Sequence, residues 1–221
     1  MSNIFTSSIG KKLLMSLAGI FLITFLLVHL GLNLLVIIFD DPMVYNKAAH
    51  FMSSNVLIKI FEIALFGGIL LHVIYALILQ LQNWIARPRR YSKANYSNTS
   101  FFSKFMIHTA IIILVFLTIH FVDFYFRAKF GHGETILVDG VMYHDFTTEI
   151  FDKFKMLPFV VFYIAAFIFL GFHLVHGFQS AFKTLGLEHK KYTPVIQVIS
   201  IIYTVVVVGG YSIIPLMIYF S

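Results

Sequence analysis

The chain has 221 residues, of which 59% are hydrophobic and only 12% are charged. So little charge cannot cover the surface of a water-soluble domain, which excludes a soluble globular enzyme and predicts an integral membrane protein. Cysteine is absent from the sequence, which excludes disulfides, thiolate ligands and cysteine-held iron–sulfur clusters within this chain.

Five apolar segments predict five transmembrane helices, at approximately residues 12–39, 56–84, 104–127, 156–183 and 194–220. Each exceeds the roughly 20 residues that cross a hydrocarbon core as a helix, and a helix satisfies its own backbone hydrogen bonds in lipid. The first segment is longer than the apolar part of a cleaved signal peptide, which has about 7–15 residues. We therefore predict an all-α bundle of five membrane-spanning helices that forms a single membrane domain over residues 1–221.

Basic residues mark one side of the predicted membrane. Lys11 and Lys12 precede the first helix, and the second and fourth connections are also basic, with Arg87, Arg89, Arg90, Lys93, Lys104, Lys183, Lys190 and Lys191. The positive-inside rule then places the N-terminus in the cytoplasm and the C-terminus outside. These charges flank membrane spans and do not line one soluble face, so they do not predict nucleic-acid binding. The basic second connection is suited either to anionic lipid or to an acidic partner.

Two connections carry signals of local structure. Asp41 is a candidate N-cap with Pro42 at the first helical position, which predicts a short interfacial helix on the outer side. In the third connection, Asp139 and Gly140 lie between two apolar runs and predict a hairpin, and residues 149–156 predict an amphipathic turn of helix. Together these signals predict a small extracytoplasmic cap between helices three and four.

Four of the five apolar segments contain histidine. The residues are His29, His72 and His120, with His173 and His176 both in the fourth segment. A polar group in hydrocarbon costs several kcal/mol unless it is satisfied, so an ionisable residue inside the membrane indicates function. One such histidine alone is better explained by a hydrogen bond to a neighbouring helix carbonyl. Four histidines on four different helices favour a shared function.

Depth in the membrane sorts these histidines into pairs. From the helical rise, His29 and His120 lie about 25 and 24 Å from the inner boundary, and His72 and His173 lie about 14 and 15 Å from it. Two levels roughly 10 Å apart predict two haems, each with two axial histidines. With both axial positions filled, such centres transfer single electrons and leave no open position for oxygen activation.

Glycines near the candidate ligands, Gly31, Gly68 and Gly177, would leave room for the macrocycles or for close helix packing. His176 is an alternative to His173, since the two lie on similar faces of one helix. The depth match and Gly177 favour His173, and His176 would then orient a propionate or lie near the inner rim. The remaining histidines are expected at an interface, for His108, or on solvated connections, for His50, His132, His144 and His189.

Three stretches carry a resemblance to a known family. They are SSIGKKLLMSLAGIFLITFLLVHLGLN, HVIYALILQLQNWIARP and FHLVHGFQSAFKTLG, the last with a histidine followed by glycine four and thirteen residues on: His173, Gly177 and Gly186. The chain resembles the dihaem cytochrome b membrane subunit of bacterial succinate dehydrogenases and fumarate reductases over nearly its whole length. The resemblance implies that His72 and His173 bind an inner haem b, and that His29 and His120 bind an outer one.

The resemblance also implies partners and a location. A flavoprotein that interconverts succinate and fumarate and an iron–sulfur subunit would dock on the cytoplasmic face of a bacterial inner membrane. Electrons would pass through the two haems to or from a quinone, commonly menaquinone in the five-helix, dihaem type. The long third connection and His176 depart from the compact members of the family. The direction, succinate oxidation or fumarate reduction, is left open by the sequence.

Quinone reduction takes two electrons and two protons, so a titratable group is expected near the electron exit. Glu62 is the only carboxylate well inside the second helix, near its outer end, and is a candidate for proton exchange. The slightly favoured alternative is an interfacial ion pair with Lys59 one turn earlier. Asp123 is the second candidate; its alternatives are to accept a hydrogen bond from the His120 ring or to mark the interface.

Two rival functions fit the same pattern. A cytochrome b anchor of another membrane oxidoreductase, such as a hydrogenase or formate dehydrogenase, would share the haems and differ in its partner. A transporter with a histidine proton relay would hold no cofactor. The visible spectrum of the chain separates the transporter from the cytochromes, and the co-purifying partner separates the cytochromes from one another.

Overall fold

The computed structural model describes residues 7–85, 105–131 and 133–221. The helices in these ranges are α1 (Ser8–Ile38), α2 (Pro42–Ser54), α3 (Val56–Ile85), α4 (Met106–Lys129), α5 (Phe146–Phe154), α6 (Leu157–Thr184) and α7 (Thr193–Phe220), and the strands are β1 (Thr135–Val138) and β2 (Val141–His144). Two predicted features lie outside the described residues. They are the basic connection between the second and third spans, with Arg87, Arg89, Arg90, Lys93 and Lys104, and His132.

The five predicted membrane helices are confirmed. Helices α1, α3, α4, α6 and α7 are between 24 and 31 residues long, and all are apolar enough to cross a membrane. Helix α1 begins at Ser8, earlier than the predicted residue 12, because the Ser7 hydroxyl accepts a hydrogen bond from the Gly10 amide at 3.0 Å and caps the helix there. The chain is therefore a multi-pass α-helical membrane protein whose apolar faces contact lipid.

Helices α1 and α6 make most of the contacts of the bundle: α1 packs against α3, α6 and α7, and α6 also packs against α4 and α7. Two tyrosines of α7 fix α1 in place. The Tyr203 hydroxyl donates to the Ile23 carbonyl at 2.7 Å, and the Tyr211 hydroxyl donates to the Leu26 carbonyl at 2.9 Å. A phenol in an apolar interior must find such an acceptor, so these bonds set how α7 lies against α1.

Helices α3 and α4 are packed much more loosely than α6 and α7. Only 6% of the apolar window of α3 and of α4 is buried, compared with 33% for α6 and for α7. Aromatic side chains join α3 to α4 near their cap ends, where the Phe66 ring lies 5.2 Å from Phe121 and 5.0 Å from Tyr125. Most of the surface of this half of the bundle is thus available to lipid or to bound groups.

The predicted cap is present as a folded unit. Strands β1 and β2 form an antiparallel hairpin, and Asp139 and Gly140 turn it with φ angles of 53° and 78°, the left-handed conformation that the Asp-Gly signal predicts. The predicted helix after Asp41 is also confirmed as α2, because the Asp41 carboxylate accepts from the Met43 amide at 2.9 Å. Its position outside the cytoplasm stays a prediction.

A buried polar cluster ties the cap together. The Asn46 amide donates to Asp145 Oδ1 at 3.1 Å, and its oxygen accepts from the Thr147 amide at 3.2 Å and from the Thr147 hydroxyl at 3.1 Å. Burial opposes ionisation of Asp145, but hydrogen bonds from Thr148 and Asn46 outweigh it and hold the pKa of this carboxyl below its usual value. Helix α2 is thereby joined to the start of α5.

Candidate functional site

The intramembrane histidines meet in two pairs. The ring centroids of His29 on α1 and His120 on α4 are 5.8 Å apart, and those of His72 on α3 and His173 on α6 are 6.2 Å apart. The planes of the two rings are inclined by 82° in the first pair and by 70° in the second. We call His29 and His120 the cap-side pair, and His72 and His173 the opposite-side pair. These are the same two pairs of histidines that the estimated depths in the membrane predict.

Both histidine pairs join helices whose backbones are not among the closely packed ones. In the described ranges, the closely packed pairs include α1 with α3, α6 and α7, and α6 with α4 and α7, but neither α1 with α4 nor α3 with α6. Directly packed helices have axes about 8–10 Å apart, so the histidine rings face each other across a wider separation.

The helical rise between residues beside the two pairs is longer than the separation of roughly 10 Å that the sequence predicts. A Cβ placed on Gly19 of α1 would lie 3.6 Å from the His72 ring, and His29 follows ten residues later, a rise of about 15 Å. On α4, Thr109 lies beside His173, and His120 follows eleven residues later, a rise of about 16 Å. The sequence estimate takes Lys12 and Lys104 as one common boundary, whereas α1 begins four residues before Lys12 and α4 begins two residues after Lys104.

The cap-side pair lies among aromatic rings. The His29 ring stacks on Phe25 with centroids 5.2 Å apart, and the His120 ring stacks on Phe116 at 5.7 Å. The His120 Nδ1 atom is buried and has no hydrogen-bond partner among the described residues. An unpaired buried polar atom costs about 1–3 kcal/mol, so a hydrogen bond to a helix carbonyl does not account for His120. The alternative of satisfied structural histidines is therefore weakest at this pair.

The opposite-side pair has oxygen neighbours. His72 Nδ1 lies 3.4 Å from the Met15 carbonyl, and His173 Nδ1 lies 3.4 Å from the Thr109 hydroxyl oxygen. The Thr109 hydroxyl donates its own proton to the Met106 carbonyl at 2.9 Å, so it is an acceptor toward His173. Both neighbours favour the tautomer with hydrogen on Nδ1, which leaves the Nε2 lone pair available to a metal.

Each pair fits a haem iron between its two rings. Neutral imidazole is a suitable ligand for iron. Two imidazoles on opposite sides of one metal, with metal–nitrogen bonds of about 2 Å, have ring centroids roughly 6 Å apart. Among the described residues no three His, Cys, Asp or Glu side chains come together to hold a metal ion, whereas a bis-histidine haem needs only two protein ligands from each pair. Haem ligation by His29, His72, His120 and His173 stays a prediction.

The glycines near the histidines differ in role. A Cβ on Gly68 would lie 3.2 Å from the Phe21 ring, so this glycine serves close packing of α3 on α1. A Cβ on Gly31 would meet no described atom within 4 Å, and one on Gly177 would meet only the Met106 methyl group at 3.8 Å. Helix packing therefore does not require glycine at these two positions.

The other histidines take separate places. His176 is half-buried on α6, three residues after His173, and the ring that faces His72 is that of His173. His189 is exposed in the turn before α7, as predicted, and His50 is half-buried against Tyr143, with ring centroids 4.9 Å apart. The expectation of a solvated surface is wrong for His144, whose ring is largely buried between Phe146 and Glu149, with its Nε2 atom 3.2 Å from the carboxylate.

The expected ion pair between Glu62 and Lys59 is not the one observed. Glu62 instead accepts a hydrogen bond from the Tyr125 hydroxyl and pairs with Lys129 at 3.0 Å, so both partners come from α4. The spacing of residues within the second helix predicts only partners on that helix, such as Lys59. It cannot predict a partner from a neighbouring helix. Glu62 therefore lies in a small polar cluster between α3 and α4, toward the cap.

Asp123 does not accept a hydrogen bond from the His120 ring. Its Oδ1 atom lies 2.6 Å from the Lys153 ammonium of α5, and its Oδ2 atom is buried and has no hydrogen-bond partner in the described part of the chain. The alternative in which Asp123 accepts a hydrogen bond from His120 is therefore wrong, and Asp123 pairs with a residue of the cap.

Sequence reasoning also missed a π-helical stretch in α4. It covers Phe121–Phe126 and begins directly after His120. Such stretches are rare in proteins overall, and those that occur are often at functional sites. The widened turn carries Asp123, which reaches Lys153, and Tyr125, which reaches Glu62. The aromatic sequence FVDFYF has no spacing signal that distinguishes a π turn from ordinary helix.

Comparisons of this chain with protein-family models, with curated proteins and with solved structures found no match. The fold and the site by themselves define the class: a multi-pass α-helical membrane protein with two pairs of histidines inside the bundle.

Proposed function

We propose that this chain is the membrane-anchoring cytochrome b subunit of a succinate:quinone oxidoreductase, a bacterial succinate dehydrogenase or fumarate reductase. The observation that carries the proposal is the pairing of four intramembrane histidines from four helices, with ring centroids 5.8 and 6.2 Å apart. The sequence resemblance adds the type of enzyme.

In this proposal His29 and His120 hold one haem b, and His72 and His173 hold the other. Bis-histidine haem supplies one-electron transfer without an open coordination position. The chain contributes orientation through Met15 and Thr109 at the opposite-side pair, and an apolar aromatic enclosure at the cap-side pair. Because the two histidine pairs are about 15 Å apart along the helices, haems held by them would allow electron transfer across much of the bilayer.

Glu62 is proposed to exchange protons with a membrane quinone, menaquinone by the resemblance, near the cap-side pair. It is the carboxylate between α3 and α4 at the cap end, and its side chain is 24% exposed. Tyr125 and Lys129 both donate hydrogen bonds to it, so the cluster contains groups able to give and accept protons. Conversion of a quinone to a quinol takes up two protons and two electrons. This cluster would supply the two protons one at a time.

The proposed partners are a flavoprotein and an iron–sulfur subunit on the face opposite the cap, which the positive-inside rule makes the cytoplasmic face of a bacterial inner membrane. The described cap lies at the end of the bundle near His29 and His120, so this proposal places the docked electron donor or acceptor at the end near His72 and His173. Capture of a flavoprotein that binds dicarboxylates supports this partner. Capture of a hydrogenase or formate dehydrogenase subunit would instead support the related anchor.

Haem content tests the proposal directly. We expect about two haem b per full-length chain and a low-spin reduced spectrum after purification from membranes. His29→Ala and His72→Ala should each lower the content to about one, whereas His50→Ala, a half-buried histidine of α2, should leave it unchanged. A folded chain without pigment would overturn the proposal and favour the histidine proton relay of a transporter.

A further inference from the structure

We propose that Asp123 and Lys153 form a charge pair that sets the reduction potential of the cap-side centre, so that the two centres of this protein differ in potential for a structural reason. The inference rests on the proposed function, since it concerns the group that His29 and His120 would hold.

The pair is close and largely removed from water. The Lys153 ammonium lies 2.6 Å from Asp123 Oδ1, and the two side chains are only 14% and 18% exposed. The Lys183–Glu188 pair at the other end of the bundle is 65% and 55% exposed. Charges in a low-dielectric interior act over longer distances than exposed charges, which water and salt screen. The Asp123–Lys153 pair is therefore able to influence its surroundings.

Lys153 and Asp123 both lie next to the cap-side pair. The Phe124 ring has its centroid 5.4 Å from the His120 ring and 5.6 Å from the Lys153 ammonium, so one aromatic ring separates the charge from the candidate ligand. Asp123 is three residues after His120 on the π-helical turn. The Lys153 ammonium is also held over the Phe159 ring at 4.6 Å, which fixes its position.

The opposite-side pair has a different electrostatic environment. The hydrogen-bonding neighbours of its rings are the Met15 carbonyl and the Thr109 hydroxyl, both neutral, and His176 follows His173 three residues later. On that side of the described structure, the ion pair Lys183–Glu188 comes ten residues after His173 and is mostly solvated. Of these two described ion pairs, only Asp123–Lys153 at the cap side is thus largely buried.

The expected sign follows from elementary electrostatics. Reduction adds one electron to the centre, and a nearby positive charge stabilises the reduced form whereas a nearby negative charge destabilises it. In the intact pair the two charges partly cancel. Removing the carboxylate leaves Lys153 uncompensated and raises the potential, and removing the ammonium leaves Asp123 uncompensated and lowers it. No proton transfer is required for either shift.

Redox titration of the His72→Ala chain, which retains the cap-side centre alone, tests the inference. We expect Asp123→Asn to raise the midpoint and Lys153→Met to lower it, each changing the ratio of reduced to oxidised centre about threefold to tenfold at a fixed poise. Tenfold corresponds to about 59 mV for one electron. The double variant should return close to the starting potential. Glu188→Gln, which breaks the exposed pair, serves as the matched control and should not shift it.

The outcomes separate the two proposals. Opposite shifts that cancel in the double variant support the charge pair. Midpoints that stay in place, or move in the same direction in both single variants, overturn it while the proposed function stands. Absence of pigment from the folded parent chain overturns the proposed function itself. If Asp123→Asn does not fold, the midpoint potentials of Lys153→Met and of the double variant are compared instead. The double variant should then have the higher midpoint potential.

Discussion

The cap-side and opposite-side pairs use the same side chain and nearly the same ring separation, but their surroundings differ. Aromatic rings stack on His29 and His120, a largely buried ion pair lies beyond Phe124 from His120, and His120 Nδ1 has no hydrogen-bond partner among the described residues. Neutral oxygens lie beside both rings of the opposite-side pair. Two similar pairs of histidines thus have different neighbours, and variants of those neighbours test the difference.

The largest expected effect concerns which histidines belong together. The double variant His29→Ala/His173→Ala removes one ligand from each pair and should abolish bound haem. His29→Ala/His120→Ala removes both ligands of one pair and should retain about one haem per chain. Haem quantification at matched protein and helix content distinguishes the two. Equal haem loss in both double variants would contradict the observed pairing.

Glu62→Gln tests the proton-exchange role at the cap-side end. We expect quinol turnover to fall by about tenfold or more, since general acid–base groups contribute about 10²–10⁴-fold, with both haems retained. Lys59→Gln on the same helix is the matched control, because Lys59 is exposed and is not the ion-pair partner of Glu62. Unchanged turnover with intact spectra would assign Glu62 to joining α3 and α4 only.

Thr109→Val tests the oxygen neighbours of the opposite-side pair. The substitution keeps the shape of the side chain and removes the acceptor for His173 Nδ1, so haem retention at this pair should weaken by about tenfold, the lower end of the range for such supporting residues. Thr109→Ser keeps the hydroxyl and should behave like the parent. Haem-dissociation kinetics with an apoprotein acceptor measure the effect, and equal retention in both variants would count against it.

Asn46→Ala should destabilise the cap without changing haem content. The side chain makes hydrogen bonds to Asp145 and Thr147 in a buried site, and leaving their polar groups unpaired costs about 1–3 kcal/mol. Amide hydrogen exchange of the cap should speed up accordingly. Lys47→Ala, an exposed neighbour on α2, should leave exchange unchanged. Loss of haem in Asn46→Ala would show that the cap supports the histidine pairs as well.

The smallest expected effect is the response of the cap to acid. The folded pKa of Asp145 lies below its ordinary value of 3.8, so its contribution to stability is complete above that pH and is lost as the pH falls through the lower folded pKa. Hydrogen exchange of the cap between pH 5 and pH 3 should show protection decreasing only near the acid end. Asp145→Asn should remove this pH dependence, and a variant that kept it would identify another group.

Individual residues show how far local reasoning reached. The Asp139–Gly140 turn and the Asp41 cap are fixed by the chemistry of a few neighbouring residues, and the structure confirms both. The predicted ion-pair partner of Glu62, Lys59, is wrong because the observed partners, Tyr125 and Lys129, come from another helix. The level separation was underestimated because helix ends do not share a common reference plane along the chain. The π turn after His120 had no periodic signal at all.

A membrane bundle of five spanning helices with histidines inside it is predictable from the amino-acid sequence, because hydrocarbon imposes length, apolarity and internal hydrogen bonding on each segment separately. The atoms around each histidine pair, the Asp123–Lys153 ion pair and the choice of closely packed helices are visible only in the folded chain. Those contacts join residues distant in the chain, and their geometry depends on how the helices pack together.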